Sequence, residues 1–166
     1  MNDIRSVSKS VKIIRKYKIP YALLHCTNIY PTPPHLVRLE AMLELQKNFR
    51  DAVIGLSDHT ESIFTSLGAV SLGASIIEKH FTNDKKSKGP DMSASLDPKE
   101  LSDLIDGSRV IFSSMKGKKK PVKEEKKTIA FAFASIASTK KISKGEIFTK
   151  NNIFPLRPGN GYFKIN

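Results

Sequence analysis

The chain has 166 residues, a formal net charge of +12, 39% hydrophobic residues and a single cysteine. This length allows one domain, or one domain with a smaller second module, and the apolar content is sufficient for a core. We expect neither a membrane span nor a signal peptide, because no run of about 20 apolar residues is present. One cysteine excludes an internal disulfide framework and favours a reducing cytoplasm.

The predicted elements alternate between helix and strand. Apolar spacing predicts helices at residues 3–17, 36–48, 62–72 and 98–115, and continuous apolar runs predict strands at 21–27, 53–58 and 75–81. The last of these helices starts with an N-cap at Asp97 followed by Pro98. Strands without polar alternation are typical of a parallel sheet that is buried on both faces. The order therefore predicts an α/β fold.

The second part of the chain has a different composition. Residues 116–127 form the densest lysine run and contain Gly117 and Pro121 but no aromatic residue. We interpret this run as a solvated linker rather than an RNA-binding site, although a positive field would also attract an anionic substrate. Residues 130–137 and 146–156 contain short extended runs, so residues 128–166 are predicted to form a small β-rich module.

Three strands cannot close a barrel, and a helix precedes the first of them. A complete eight-stranded barrel requires roughly 250 residues. We therefore expect residues 1–115 to be the C-terminal part of a larger α/β design that contains further strands.

The most informative residues are His59 and His80, which follow two neighbouring predicted strands. The carboxyl ends of parallel strands carry the functional groups of α/β sheets. Successive side chains of a strand point to opposite faces of the sheet. Ser57 therefore shares a face with His59, and Glu78 shares a face with His80. Asp58 and Lys79, which lie between them in the sequence, are predicted to point away from that face. A histidine pair alone is more often structural. With Ser57, Glu78 and the loop at residues 89–91, however, it predicts a site for Mn, Zn or Fe.

Polar groups after the first strand have two interpretations each. Asn28 and Ser57 are suited to bind a phosphate, or alternatively cap a turn and a helix. Tyr30 faces the same region, or packs as a loop aromatic. The alternation of side chains places His25 on the opposite face of the first strand from Asn28. It places Cys26 on the same face as Asn28, but a cysteine there is more typical of a small buried residue.

Four motifs in order resemble the N-acetylneuraminate synthase family, which includes sialic, legionaminic and pseudaminic acid synthases. They are residues 23–33 (LLHCTNIYPTP), 55–60 (GLSDHT), 78–82 (EKHFT) and 89–91 (GPD). Residues 131–135 (FAFAS) through 157–161 (RPGNG) resemble the antifreeze-like (SAF) domain of that family. The resemblance implies the C-terminal part of a TIM (β/α)8 barrel, followed by a partial antifreeze-like module.

The implied reaction condenses phosphoenolpyruvate with an N-acetylated hexose, such as N-acetylmannosamine or a 2,4-diacetamido sugar, and releases phosphate. The resemblance assigns His59 and His80 as ligands of a divalent metal, usually manganese, and places Glu78 with them among the catalytic residues. It places substrate-binding groups at Asn28, Tyr30, Ser57, Asp91 and Arg157. In the family, the residue matching Arg157 enters the partner subunit's site, which implies a domain-swapped homodimer.

The chain also departs from the family pattern. Met92 follows Asp91 where many members have histidine, so the identity of the acceptor sugar is left open. The family's first five strands are not represented, and we expect this chain alone to be inactive. The alternatives are a non-catalytic remnant, a complementing subunit of a split synthase, or a basic RNA-binding module.

Overall fold

A computed structural model describes residues 2–159. The chain forms two compact units, Met1–Lys116 and Gly117–Asn166. The first contains α1 (Ile4–Lys16), β1 (Ala22–Cys26), α2 (Pro34–Val37), α3 (Glu40–Asn48), β2 (Val53–Asp58), α4 (Phe64–Ser71), β3 (Ile76–Lys79) and α5 (Pro98–Ser114). The second contains α6 (Lys126–Ala132), β4 (Ser135–Ser138) and β5 (Ile153–Leu156). Within residues 2–159, no helix is long and apolar enough to cross a membrane.

The sheet of the first unit has the order β1-β2-β3, and both pairings are parallel. The alternation of helix and strand predicted this arrangement, because parallel neighbours require a crossover connection. β2 is buried along most of its length, with Leu56 only 1% exposed. Among the described residues, the outer edges of β1 and β3 have no strand partner.

Helices α1, α3 and α4 each contribute buried residues to the core that packs on this sheet. The largest fully buried apolar side chains there are Val11 of α1, Met42 of α3 and Leu56 of β2. α1 begins where Asp3 accepts a hydrogen bond from the Ser6 amide at 2.8 Å. Such N-caps satisfy amides that have no partner within the helix.

The start of α5 confirms the predicted cap at Asp97. The Glu100 amide donates to the Asp97 carboxylate at 2.8 Å, and the Asp97 amide donates to the Glu100 carboxylate at 2.9 Å. This reciprocal capping box fixes the first turn of the helix. The helix is therefore anchored just after the loop that follows β3.

Two sequence predictions about helices are wrong. The helix predicted at 36–48 is two helices, because Arg38 between them adopts a left-handed backbone conformation with φ 53°. Residues 130–132, predicted to be extended, are the end of α6, and α6 begins inside the predicted linker. Alanine has the highest helix propensity, and this segment is alanine-rich.

The second unit contains one antiparallel pair, β4 with β5. Of the extended run predicted at 146–156, only Ile153–Leu156 forms a strand. Before it, Asn152 is 2% exposed, and its side chain donates to the Ile147 carbonyl at 3.0 Å. The antifreeze-like assignment of residues 128–166 stays a prediction, and Asn160 and Gly161 of the matching motif lie outside the described residues.

Gly55 allows β2 and β3 to approach each other. A Cβ built on Gly55 would overlap the backbone carbonyl oxygen of Ile76, its register partner on β3, and would lie 2.9 Å from the Ile76 Cβ. We expect Gly55→Ala to destabilise the unit by about 1–3 kcal/mol, the usual effect of overpacking. Urea unfolding followed by circular dichroism measures this change.

The matched control is Gly89→Ala. Its new Cβ would meet the flexible end of Met92 at 3.4 Å, which is an ordinary contact. Equal unfolding midpoints for the two variants would contradict the importance of the close approach at Gly55.

Candidate functional site

Polar side chains converge where β2 and β3 end. Ser57 and Glu78 are register partners, and the Ser57 hydroxyl donates to Glu78 Oε1 at 2.7 Å. A cavity of about 260 Å³ is lined by Ser57, His59, Glu78, Lys79 and His80. The structure therefore brings together the four residues that strand parity placed on one face.

The two imidazole rings lie on the same side of the sheet. Their centroids are 5.3 Å apart, and the ring planes are inclined by 59°. Tyr30 lies against both rings, with its centroid 4.1 Å from that of His59 and 5.7 Å from that of His80. Three aromatic rings from three successive strand ends thus form one cluster.

His59 is held by its backbone and by its ring. It is 6% exposed, and its carbonyl accepts a hydrogen bond from the Thr32 amide at 2.9 Å. Its Nδ1 lies 3.0 Å from the Thr27 carbonyl oxygen. Since a carbonyl can only accept, Nδ1 carries a hydrogen, and Nε2 is the ring nitrogen left to bind a metal. Metal-binding histidines are commonly fixed in this way.

His80 is more accessible and lies near a carboxylate. Its Nδ1 is 3.9 Å from Asp91 Oδ2, which is too long for a hydrogen bond, and the two side chains are 37% and 36% exposed. Asp91 adopts a left-handed conformation with φ 62°, and its carbonyl accepts a bond from the Ser95 hydroxyl at 2.9 Å. The loop after β3 therefore brings Asp91 to the site, as the sequence predicted.

Tyr30 belongs to the same site. Partial desolvation raises the pKa of its phenol, and the nearby Cys26, Asp91 and Glu78 raise it further. The hydroxyl therefore stays protonated at neutral pH and can act as a hydrogen-bond donor.

Asn28 and His25 do not line this cavity, and Arg157 belongs to the other unit. Asn28 does not line the histidine cavity; it lines a neighbouring one, and its Oδ1 accepts a bond from the Cys26 thiol at 2.7 Å. Arg157 is exposed and belongs to the second unit. His25 bonds the Val37 carbonyl through Nε2 at 2.7 Å, away from the cavity, in agreement with its predicted parity.

Sequence reasoning missed the loop contacts that hold His59. Thr27 contributes a backbone carbonyl, which no side-chain pattern reveals. Thr32, 3% exposed, donates its hydroxyl to the Ile29 carbonyl at 2.6 Å and its amide to His59. The only available signal was the dense turn composition of residues 28–34.

The donor set is compatible with a divalent cation, but it is incomplete. Among residues 2–159, no group of three or more His, Cys, Asp or Glu side chains converges to hold a metal. His59 and His80 supply two nitrogen ligands, and catalytic metals keep positions for water or substrate. The two histidines therefore fit as part of a coordination shell that other groups complete.

Comparisons with known proteins agree with one another. The NeuB family model matches residues 1–120. An N,N'-diacetyllegionaminic acid synthase of Campylobacter jejuni is 49% identical over 84% of this chain and 42% of the relative. A spore coat polysaccharide biosynthesis protein of Bacillus subtilis is 42% identical over 96% of this chain and 46% of the relative.

Solved structures give the same result. The N-acetylneuraminic acid synthetase of Leptospira borgpetersenii, in complex with citrate, matches with a TM-score of 0.71 and 35% identity, covering 78% of this chain and 45% of that chain. The α/β fold class predicted from the sequence is confirmed by this likeness and by the parallel sheet. The chain spans about half the length of the curated relatives it matches.

Proposed function

Because the chain belongs to the NeuB family, we propose that it forms part of the active site of a nonulosonic acid synthase. Its relatives include a legionaminic acid synthase and a sialic acid synthetase. The observation that carries the proposal is the pair of imidazoles, 5.3 Å apart, at the ends of adjacent parallel strands.

In the proposed reaction, C3 of phosphoenolpyruvate forms a bond to the aldehyde carbon of an open-chain N-acetylated hexose. The aldehyde oxygen gains a proton, and water adds to C2. The bond between C2 and the phosphate oxygen then breaks, so that phosphate leaves and a 2-keto acid remains. A divalent cation bound at the site, manganese in this proposal, supplies Lewis acidity toward the aldehyde oxygen.

The chain's own residues orient the reactants. We assign His59 and His80 to hold the cation, with the His59 ring fixed by the Thr27 carbonyl. Tyr30 and Asp91, both beside the histidines, are assigned to the acceptor sugar. The Tyr30 hydroxyl donates a hydrogen bond there, and the Asp91 carboxylate accepts from sugar hydroxyls.

Ser57 and Glu78 act as a pair in this proposal. The Ser57 hydroxyl donates to Glu78 in the structure, and an anionic phosphate oxygen would compete with Glu78 for that donor. Glu78 lines the cavity, and we assign it a place near the reacting carbons, with its second carboxylate oxygen available as a proton acceptor. Asn28 and Arg157 are proposed phosphate and partner-subunit contacts, on the strength of the sequence resemblance alone.

The three strands supply only part of an eight-stranded barrel. We therefore propose that activity requires further strands, on the same polypeptide or on a complementing one. From the sequence resemblance of residues around Arg157, we also propose a domain-swapped homodimer. The proposed compartment is the cytoplasm, since one cysteine provides no internal disulfide.

A chimera tests the proposed function. Residues 1–120 of this chain replace the matching segment of the Campylobacter legionaminic acid synthase, and phosphate release from phosphoenolpyruvate is measured with Mn(II) present. We expect release with a 2,4-diacetamido sugar or with N-acetylmannosamine, and the preferred sugar identifies the acceptor class.

The parent synthase is the positive control, and this 166-residue chain alone is the negative one. A chimera that unfolds with the same midpoint as the parent, yet releases no phosphate with either sugar, would contradict the proposed function.

A further inference from the structure

A buried ion pair joins the same two strands at the positions next to Ser57 and Glu78, and one of its members, Lys79, also contributes to the lining of the cavity. Asp58 Oδ2 and Lys79 Nζ are 3.5 Å apart, and their side chains are 0% and 4% exposed. They are register partners, as Ser57 and Glu78 are on the cavity face. The sequence placed both residues away from the site but gave them no role.

The Asp58 carboxylate accepts three hydrogen bonds besides its ion pair with Lys79. It accepts hydrogen bonds from the Thr60 amide at 2.9 Å, the Thr65 hydroxyl at 2.7 Å and the Ser66 hydroxyl at 2.6 Å. Burial alone would raise the pKa of Asp58, but these bonds and the charge of Lys79 outweigh it and keep that pKa below its usual value. Asp58 thus ties the end of β2 to the first turn of α4.

Lys79 ties β3 to the same segment. Its ammonium group donates to the Thr60 carbonyl and contacts the Thr60 hydroxyl at 3.3 Å. Burial lowers the pKa of Lys79, against the opposing effect of Asp58. Since Thr60 directly follows His59, this contact links the end of β3 to the residue next to one imidazole.

Stability alone is a poor explanation for this pair. Removing two charges from water costs several kcal/mol each, and apolar residues of similar volume often stabilise a fold equally well. What distinguishes the pair is its position, because Asp58 and Lys79 immediately precede His59 and His80. A cross-strand link at this point fixes the two strand ends from which both rings project.

We propose that Asp58 and Lys79 are positioning residues that hold the His59 and His80 rings at their mutual spacing. This proposal rests on the proposed function in one respect, namely that His59 and His80 bind a metal ion. The pair contacts neither the rings nor the cavity's carboxylate directly; it acts through the backbone of the two strands and through Thr60.

The test uses the full chain with the paired substitution Asp58→Asn/Lys79→Met and the single substitution Lys79→Met. Both remove the ion pair without leaving an unpaired buried ammonium group. The matched control, Asp51→Asn/Arg15→Met, removes an exposed pair of the same unit, in which Arg15 Nε lies 2.9 Å from Asp51 Oδ2.

Two measurements are made on each variant. The first is the nuclear Overhauser effect between the ring protons of His59 and His80 without metal, whose strength depends on their separation. The second is the dissociation constant for Mn(II). In the folded variants we expect loss of the Overhauser effect and about 10–100-fold weaker Mn(II) binding, the usual effect of removing a residue that holds a metal ligand in place. The control should match wild type in both.

A folded variant that keeps the wild-type Overhauser effect overturns the proposal. Failure of both variants to fold also overturns it, since the pair would then support the whole fold. If wild type binds no Mn(II), the metal part of the proposed function fails, while the metal-free Overhauser effect still decides whether the pair positions the rings.

Discussion

Binding of Mn(II) is expected to require His59 and His80 but neither of the chain's other two histidines, His25 and His35. Each of His59→Ala and His80→Ala should abolish stoichiometric binding, because each removes one of two protein nitrogens in the shared site. Removing a residue that only holds a ligand in place weakens metal affinity by about 10–100-fold, so removing a ligand itself should weaken it by more. Titration calorimetry and the electron paramagnetic resonance signal of free Mn(II) measure it.

The controls are the same substitution at the other two positions. His25 bonds the Val37 carbonyl and lies away from the cavity, and His35 is exposed on α2. His25→Ala and His35→Ala should therefore bind Mn(II) like wild type. Retained binding in His59→Ala/His80→Ala, or an equal loss in all four single variants, would show that the metal is held elsewhere.

Leu56→Ala is expected to produce the largest loss of stability. Leu56 is 1% exposed in the central strand and packs in the core with α1 and α3. Truncating such a side chain removes buried area and leaves a cavity, which costs about 2–5 kcal/mol. That is a large fraction of the roughly 5–15 kcal/mol by which domains are stable. Urea unfolding followed by circular dichroism gives the change in midpoint.

Leu43→Ala is the matched control, since Leu43 lies on α3 with 38% exposure. It should shift the midpoint by a small fraction of the Leu56 effect. Comparable shifts for both would mean that the centre of the sheet is not the core of this unit.

Much of the first unit followed from local patterns. Continuous apolar runs located all three strands, and the cap at Asp97 located the start of α5. The alternation of side chains along a strand separated Ser57 and Glu78, whose side chains hydrogen-bond each other at the cavity, from Asp58 and Lys79, whose side chains form the buried ion pair. These predictions succeeded because hydrophobic periodicity and helix capping both depend on residues that are close together in the sequence.

The failures have non-local or context-dependent causes. A helical pattern across residues 36–48 conceals the left-handed conformation of Arg38, whose guanidinium reaches back to the Thr27 hydroxyl at 3.3 Å. Sequence reasoning also could not foresee the surroundings of Asn28, whose amide oxygen accepts a hydrogen bond from the Cys26 thiol beside another cavity; its role as a phosphate contact stays a prediction. Neither contact leaves a periodic signal, because both depend on the path of a loop.

The His59 ring donates its Nδ1 hydrogen to the main-chain carbonyl of Thr27, and this choice of acceptor has an evolutionary consequence. No substitution at position 27 deletes that oxygen, so the imidazole tautomer does not depend on the Thr27 side chain, although a substitution there would lose the hydroxyl contacts with Arg38 and with the Leu36 carbonyl. Selection should act instead on the residues that shape the loop's course, Thr32 foremost. A substitution at position 27 is therefore weaker evidence for a lost orientation of the His59 ring than a substitution at position 32.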